Sequence, residues 1–362
     1  MAGHPVAWVN NQFQQYVYDI TDLIASPRRG ATNVTVALES AYTYGLNVTA
    51  RPDAEWARGD VVGPIVIGSI LRVLSLQCSV RVPVHQAMGS EGPVRLRVGL
   101  GASSQESCGF SQPYRYFLQG PAFLPSGIYK PAFLVTLTDE VAKKPQAPAT
   151  HPLLVSSSGP LFIEEHSLEI AKKGQTPIAL PDEKADWIVN VTLWIRSSVA
   201  IKSPSISLAI PELGVVTRPV TVKSLPGSTH SSTPVTASFA IPDSVPQRWF
   251  PHNLGTPKLY NITTTIHTSS SSSFSFVTRT GFRTITLVQA PYSQADIDTR
   301  GITPGDQWHF EINGKAFYSS GTNIIPYDPF YARTTSEKVR WVLESAVLSG
   351  QNMVRSPSFG QK

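Results

Sequence analysis

With 362 residues, 41% of them hydrophobic and only 15% charged, the chain has room for two or three domains with real cores, which argues against global disorder. Its net charge of +5 is scattered in pairs such as Arg28-Arg29 and Lys172-Lys173, which argues against a nucleic-acid-binding face. No run reaches the ~18 apolar residues of a membrane helix, so no membrane partner is expected.

Residues 1–172 read as short strands between Gly, Pro and Asn turns. Phe13, Tyr16 and Tyr18 furnish the first strand, and Val34, Val36 and Leu38 alternate beyond the turn at Pro27 to Gly30. Further apolar runs lie at 61–67, 71–74, 133–137 and 161–163, the last two flanking a Lys/Pro/Ala-rich loop at 143–152. The pattern is compatible with a jelly-roll-like β-sandwich that is incomplete at its N-terminus. Cys78 and Cys108 are the two cysteines. One disulfide between them and two free thiols stay equally open, because sequence does not give their separation.

Residues 183–289 form a second β unit. Trp187, Val189, Val191, Leu193 and Ile195 take one face of a strand; Tyr260, Ile262, Thr264 and Ile266 do the same later. Other strands are expected at 206–210, 235–241 and 274–287, with the serine run 269–273 as a hairpin loop. About a hundred residues of strands at this spacing predict an immunoglobulin-like sandwich. Residues 289–304 read as a linker.

In residues 305–355 the pattern changes. Trp308 to Ile312 is a strand turning on Asn313-Gly314, a dipeptide favoured in tight hairpins, and a second strand follows at 316–318. A helix is expected to open at Thr334 with Glu337 completing a capping box. Val339, Val342, Leu343, Ala346 and Val347 make one apolar helical stripe, Gly350 closes it, and 352–355 resumes as a strand. This is the first βα unit of a barrel or parallel sheet. Residues 356–362 form a divergent tail.

Four sequons, at Asn33, Asn47, Asn190 and Asn261, offer glycosylation sites. Strand alternation puts Asn33 and Asn261 opposite the apolar faces. The start of the chain lacks the basic and apolar regions of a signal peptide. A secreted protein whose leader is missing fits both observations.

Several runs together are specific. Trp308–Gly314, the block Gly321 to Phe330 and Gln351 to Arg355 resemble the entry into the catalytic barrel of fungal β-mannosidases of glycoside hydrolase family 2. Arg248–Gly255 with Leu259-Tyr260-Asn261, and Arg279–Ile285, resemble that family's preceding domain. Asn11–Tyr16 and Gly127–Pro131 resemble its sugar-binding domain. The resemblance implies a jelly-roll-like sandwich, an immunoglobulin-like sandwich and the start of a (β/α)8 barrel. It implies hydrolysis of terminal non-reducing β-D-mannose from β-mannosides or manno-oligosaccharides, in a secreted protein, without organic or metal cofactor. Oligomeric state is left open.

A retaining glycosidase needs two carboxylates about 5–5.5 Å apart, one as nucleophile and one as acid/base. The family draws both, as glutamates, from later barrel strands, the acid/base one after an asparagine; no glutamate here follows an asparagine. A barrel takes ~250 residues and about fifty are present, so a truncated form, inactive alone, is expected. By resemblance Arg355 lies beside the sugar, with Asn323 and Asp328 in the loop after the first barrel strand. A surface arginine and turn-capping roles are the plain alternatives. The family's Trp-Asp-Trp loop is replaced by Phe117-Leu118-Gln119, and Ser356-Pro357 departs from its continuation after Arg355. A non-catalytic β-sandwich module binding carbohydrate or protein is the second hypothesis. The histidines show no metal-ligand spacing, and Glu164-Glu165 with Glu169 reads as a solvated strand end.

Overall fold

The computed structural model describes residues 5–9, 16–24, 32–38, 76–82, 94–98, 132–137, 153–157, 159–176, 180–268, 273–324, 327–328 and 333–355. The chain is mainly β and divides into two compact units, Met1–Gly159 with Pro326–Val339 and Ser358–Lys362, and Pro160–Ile325 with Arg340–Pro357. No barrel is closed among the described residues.

The first unit contains β1 Tyr16–Asp19, α1 Thr21–Ile24, β2 Thr32–Leu38, β3 Leu76–Val82, β4 Val94–Val98, β5 Ala132–Thr136 and β6 Leu153–Ser157. One sheet runs β1-β4-β5-β6, with β5 and β6 parallel and the other pairs antiparallel. A separate antiparallel pair joins β2 to β3. Asp19 starts α1, its Oδ1 accepting from the Thr21 backbone N–H (3.0 Å) and hydroxyl (2.6 Å). Ile20, Val135 and Leu137 are buried.

The second unit opens with β7 Leu161–Lys172, β8 Trp187–Ser197, β9 Ser205–Ile210, β10 Val215–Val216, β11 Val220–Thr221, β12 Thr233–Ile241, β13 Tyr260–His267 and β14 Ser273–Thr280. Sheet β12-β8-β7 faces a sheet ordered β10-β9-β13-β14, with β11 also on β9. In immunoglobulin lettering these are E-B-A and C′-C-F-G, the expected sandwich. The inward residues of β8 and β13 are buried in the order that alternation predicts. Tyr260 opens β13, and its hydroxyl accepts the Gln247 backbone N–H at 2.9 Å, which ties down the crossing from β12 as the tyrosine corner of such folds does. Phe282, just past β14, meets Trp187 and Tyr260, the first residues of β8 and β13, edge-on at centroid distances of 5.6 and 5.9 Å.

Two expectations are corrected here. Strand Leu161–Lys172, read as the end of the first domain, pairs along its length with β8 and is the outer strand of this sandwich. The register shifts between Ile163 and Glu165, so odd residues face inward before Glu164 and even ones after it. That single extra residue breaks the period-two signal. Glu164 is not a solvated carboxylate either: its two oxygens take Arg196 Nε (2.5 Å) and Nη2 (3.2 Å), while Arg196 Nη1 donates to the Thr229 and His230 carbonyls.

The expected continuous strand 274–287 is also interrupted. β14 ends at Thr280, and β15 Ile285–Val288 leaves the sandwich to pair with β16 His309–Ile312, which pairs with β17 Lys315–Phe317. Gly281 makes the crossing. A Cβ there would lie 2.8 Å from Trp249 Cβ and 2.9 Å from the Lys258 carbonyl. The β16–β17 hairpin turns on Asn313 (φ 52°) and Gly314 (φ 71°), both left-handed, as a type I′ turn requires.

Within the expected linker lies α2 Gln294–Arg300, capped by Ser293, whose hydroxyl accepts the Asp296 N–H, and closed by Gly301 (φ 62°). It buries no residue, so it carries no apolar stripe to reveal it.

The last elements are β18 Gly321–Asn323, α3 Ser336–Leu348 and β19 Met353–Arg355. β18 and β19 pair in parallel, with α3 in the crossover between them, giving the expected βα unit. The helix opens one residue later than read. Thr335 Oγ1, not Thr334, accepts the Lys338 N–H at 3.2 Å, so Glu337 completes no capping box. Gly350 N–H reaches Val347 O and Gln351 N–H reaches Ala346 O, the paired bonds of a Schellman end.

Candidate functional site

Two of the three residues singled out for substrate contact come together. Asn323 and Arg355 are register partners at the C-terminal ends of parallel β18 and β19, and the Ile324 N–H donates to the Arg355 carbonyl at 2.8 Å. Both are exposed. In (β/α) folds the C-terminal strand ends are where active-site groups collect. Asn352 secures the start of β19, donating from Nδ2 to the Tyr318 carbonyl and accepting the Ser320 N–H, each at 3.0 Å. The exposed His252 donates from Nε2 to the Gln351 carbonyl at 2.6 Å, which links the segment Arg248–Gly255 to the residue before Asn352.

Close approach of the two strands depends on Gly321, because a Cβ there would run into the Met353 carbonyl. Gly321→Ala is therefore expected to separate β18 from β19. The amide of Ile324 should then lose its protection in hydrogen exchange while those of β8 keep theirs; equal protection in variant and parent would refute the pairing.

Asp328 belongs to the other unit, where it is buried and ion-paired. Its Oδ1 accepts from Arg333 Nη2 (2.8 Å) and Nε (3.1 Å), and Lys338 Nζ lies 3.4 Å from Oδ2. Asn190 Oδ1 accepts the Ser238 hydroxyl at 2.7 Å. Asn261 is exposed and gives both its backbone N–H and Nδ2 to Glu212 Oε1. The backbone N–H of Glu212 itself and that of Asn261 hold the Glu212 carboxyl below its ordinary range. Asn33 stands in β2 and Cys78 in β3, while Asn47 and Cys108 lie outside the described residues, and with Cys108 the possible disulfide. Among the described residues no cluster of His, Cys, Asp or Glu is placed to hold a metal, and no helix is long and apolar enough to cross a membrane.

Sequence reasoning missed a chain of charges over Trp187. Lys172 Nζ, fully buried, donates to Asp243 Oδ1 (2.5 Å) and the Ala185 carbonyl (2.8 Å), and sits 3.8 Å from the Trp187 ring centroid. Asp243 also accepts from Arg248 Nη2 (3.0 and 3.2 Å). Arg248 in turn pairs with the Glu183 carboxylate and carbonyl. Glu183 Oε1 takes the Thr284 hydroxyl at 2.5 Å, and Gly314 lies over the Glu183 side chain. Beside it, Asn313 Oδ1 accepts the Thr284 N–H (3.0 Å) and Nδ2 donates to the Trp249 carbonyl (2.9 Å). These contacts couple the sandwich to the β15–β17 sheet. Their members are far apart in sequence, so no spacing announces them.

No family model matches the chain. Curated relatives do. The chain is 34% identical over 356 residues to Beta-mannosidase A of Aspergillus terreus, covering 98% of this chain and 32% of that protein. It is 29% identical over 359 residues to Beta-mannosidase A of Emericella nidulans, covering 99% and 32%. The chain thus spans about a third of the length of the curated relatives it matches. Among solved structures, a Beta-D-Mannosidase from Dictyoglomus thermophilum superposes with a TM-score of 0.39 at 17% identity, over 54% of this chain and 21% of that one. Sandwich units leading into a parallel strand–helix–strand unit, with these relatives, define a glycosidase-family protein. Within it, the chain belongs with the fungal β-mannosidases of glycoside hydrolase family 2.

Proposed function

We propose that these residues are the scaffold portion of a retaining β-mannosidase, which removes terminal non-reducing β-D-mannose, and that this portion does not catalyse alone. Likeness to Beta-mannosidase A over 98% of the chain supports the reading. The single structural observation that carries it is Asn323 opposite Arg355 at the ends of parallel strands. In this reading Arg355 supplies a fixed positive fork for sugar hydroxyls and for a neighbouring carboxylate, and Asn323 supplies a neutral donor and acceptor. Asp328 is the weaker candidate, because Arg333 and Lys338 already engage its oxygens. No glutamate follows an asparagine among the 362 residues, so the acid/base that the resemblance calls for is not among them. Asn33, Asn47, Asn190 and Asn261 carry glycans on a secreted protein.

Purified chain incubated with a chromogenic β-mannoside is expected to show no turnover beyond the buffer rate. Repeated turnover per molecule would overturn the proposal. The exposed Trp308, edge-on to Phe310 at 5.8 Å, favours a second reading, a non-catalytic carbohydrate-binding module. Heat released on titration with manno-oligosaccharides would support it, and none would remove it.

A further inference from the structure

The charge chain over Trp187 does more than fill space. It alternates in sign, Lys172, Asp243, Arg248, Glu183, and ends on Thr284 at the start of β15. We propose that it is an acid-released clasp: ionised Asp243 keeps loop 180–186 closed on β15 and the β16–β17 hairpin, and protonated Asp243 lets that loop open.

Asp243 is the only link that touches both cations, with Lys172 on one side and Arg248 on the other. Lys172 has no water to turn to, its side chain being wholly buried, so neutralising its partner leaves an uncompensated charge. Relief comes from admitting water at the loop that supplies the Ala185 carbonyl to Lys172. The same loop supplies Glu183 to Arg248, Thr284 and Gly314, so hydrating it uncouples the hairpin side. Asp186 brings a further carboxylate to Asp243, its Oδ1 accepting the Asp243 N–H at 3.3 Å. The remaining ionisable groups include Lys173, Asp182, Lys184 and Arg283 beside the loop and β15, His309 and Glu311, which pair with each other on β16, and Lys315 on β17. Arg283 is occupied over the Trp249 ring and Lys315 over Phe250. The Asn313 bonds to Thr284 and Trp249 carry no ionisable group and are untouched by acid, so opening is local.

The sign follows from Asp243. Partial burial raises its carboxyl, but the Lys172 hydrogen bond and the Arg248 charge outweigh that and leave it lowered. A lowered carboxyl contributes stability that is present above the ordinary aspartate range, about pH 4, and lost as pH falls through the lower folded value. The clasp therefore stays shut in mildly acid solution.

Limited proteolysis of the whole chain with an acid protease, mapped by mass spectrometry, tests this. Cleavage within 180–186 should stay at its slow rate from about pH 5 to pH 4 and accelerate at least about tenfold below it, while far-ultraviolet circular dichroism still reports the sandwich strands. Asp243→Asn, which imitates the protonated state, should show the same acceleration at pH 7 with a neutral protease; Glu169→Gln, an exposed carboxylate, should not. If Asp243→Asn fails to fold, the pH series on the parent chain decides. Acceleration already above pH 4, none at any pH, or loss of strand signal at the same pH as cleavage would each overturn the clasp.

Discussion

Replacing Trp187 by alanine is expected to cost about 3–5 kcal/mol of unfolding free energy. The indole opens β8, is fully buried, and holds Phe282 edge-on, which holds Tyr260 in the same way. Alanine would leave a cavity between the two sheets and strip the aromatic face from under Lys172, whose ammonium has no route to water. Urea unfolding followed by circular dichroism should show a lower midpoint with an unchanged slope. Trp187→Phe should cost much less. The indole Nε1 has no hydrogen-bond partner among the described residues, so phenylalanine loses volume and no bond. A loss below about 1 kcal/mol for the alanine variant would show that the sandwich is not organised on this trio.

Glu164→Ala is the second large effect, again about 3–5 kcal/mol. Arg196 and Glu164 form a bidentate pair whose side chains are only 8% and 17% exposed, so removing the carboxylate strands a buried guanidinium. Its bonds to the Thr229 and His230 carbonyls remain but do not balance the charge. The neighbouring exposed Glu165→Ala should change stability by no more than about 0.5 kcal/mol. The contrast between adjacent glutamates is the check, and equal losses would refute it. Adding Arg196→Met to Glu164→Ala should restore part of the loss, because the stranded charge goes with it.

Where local pattern and tertiary role coincide, the sequence was readable. β8 from Trp187 to Ile195 and β13 along its length alternate without interruption, and their buried faces follow that alternation. Asn313-Gly314 carries its turn type in its own backbone preference, and the α3 stripe ends at a glycine that closes it. What escaped depends on tertiary context or on a one-residue offset. β7 hid behind the extra residue at Glu164, α2 has no apolar face, and the α3 cap slid from Thr334 to Thr335. The apparent strand 274–287 is two strands, because the need for a glycine at 281 comes from Trp249 and Lys258, distant in sequence. The candidate site shows the same division. Parallel pairing brings Asn323 to Arg355 as the βα reading requires, whereas the partners of Asp328 could not be read from its own position.

Membership of β7 in the sandwich bears on where the chain can be cut. A recombinant piece begun at residue 183 would strip one neighbour from β8 and expose a long row of unpaired backbone donors and acceptors beside an apolar face, an invitation to fibrous association. Begun at Pro160, the same piece keeps that flank covered.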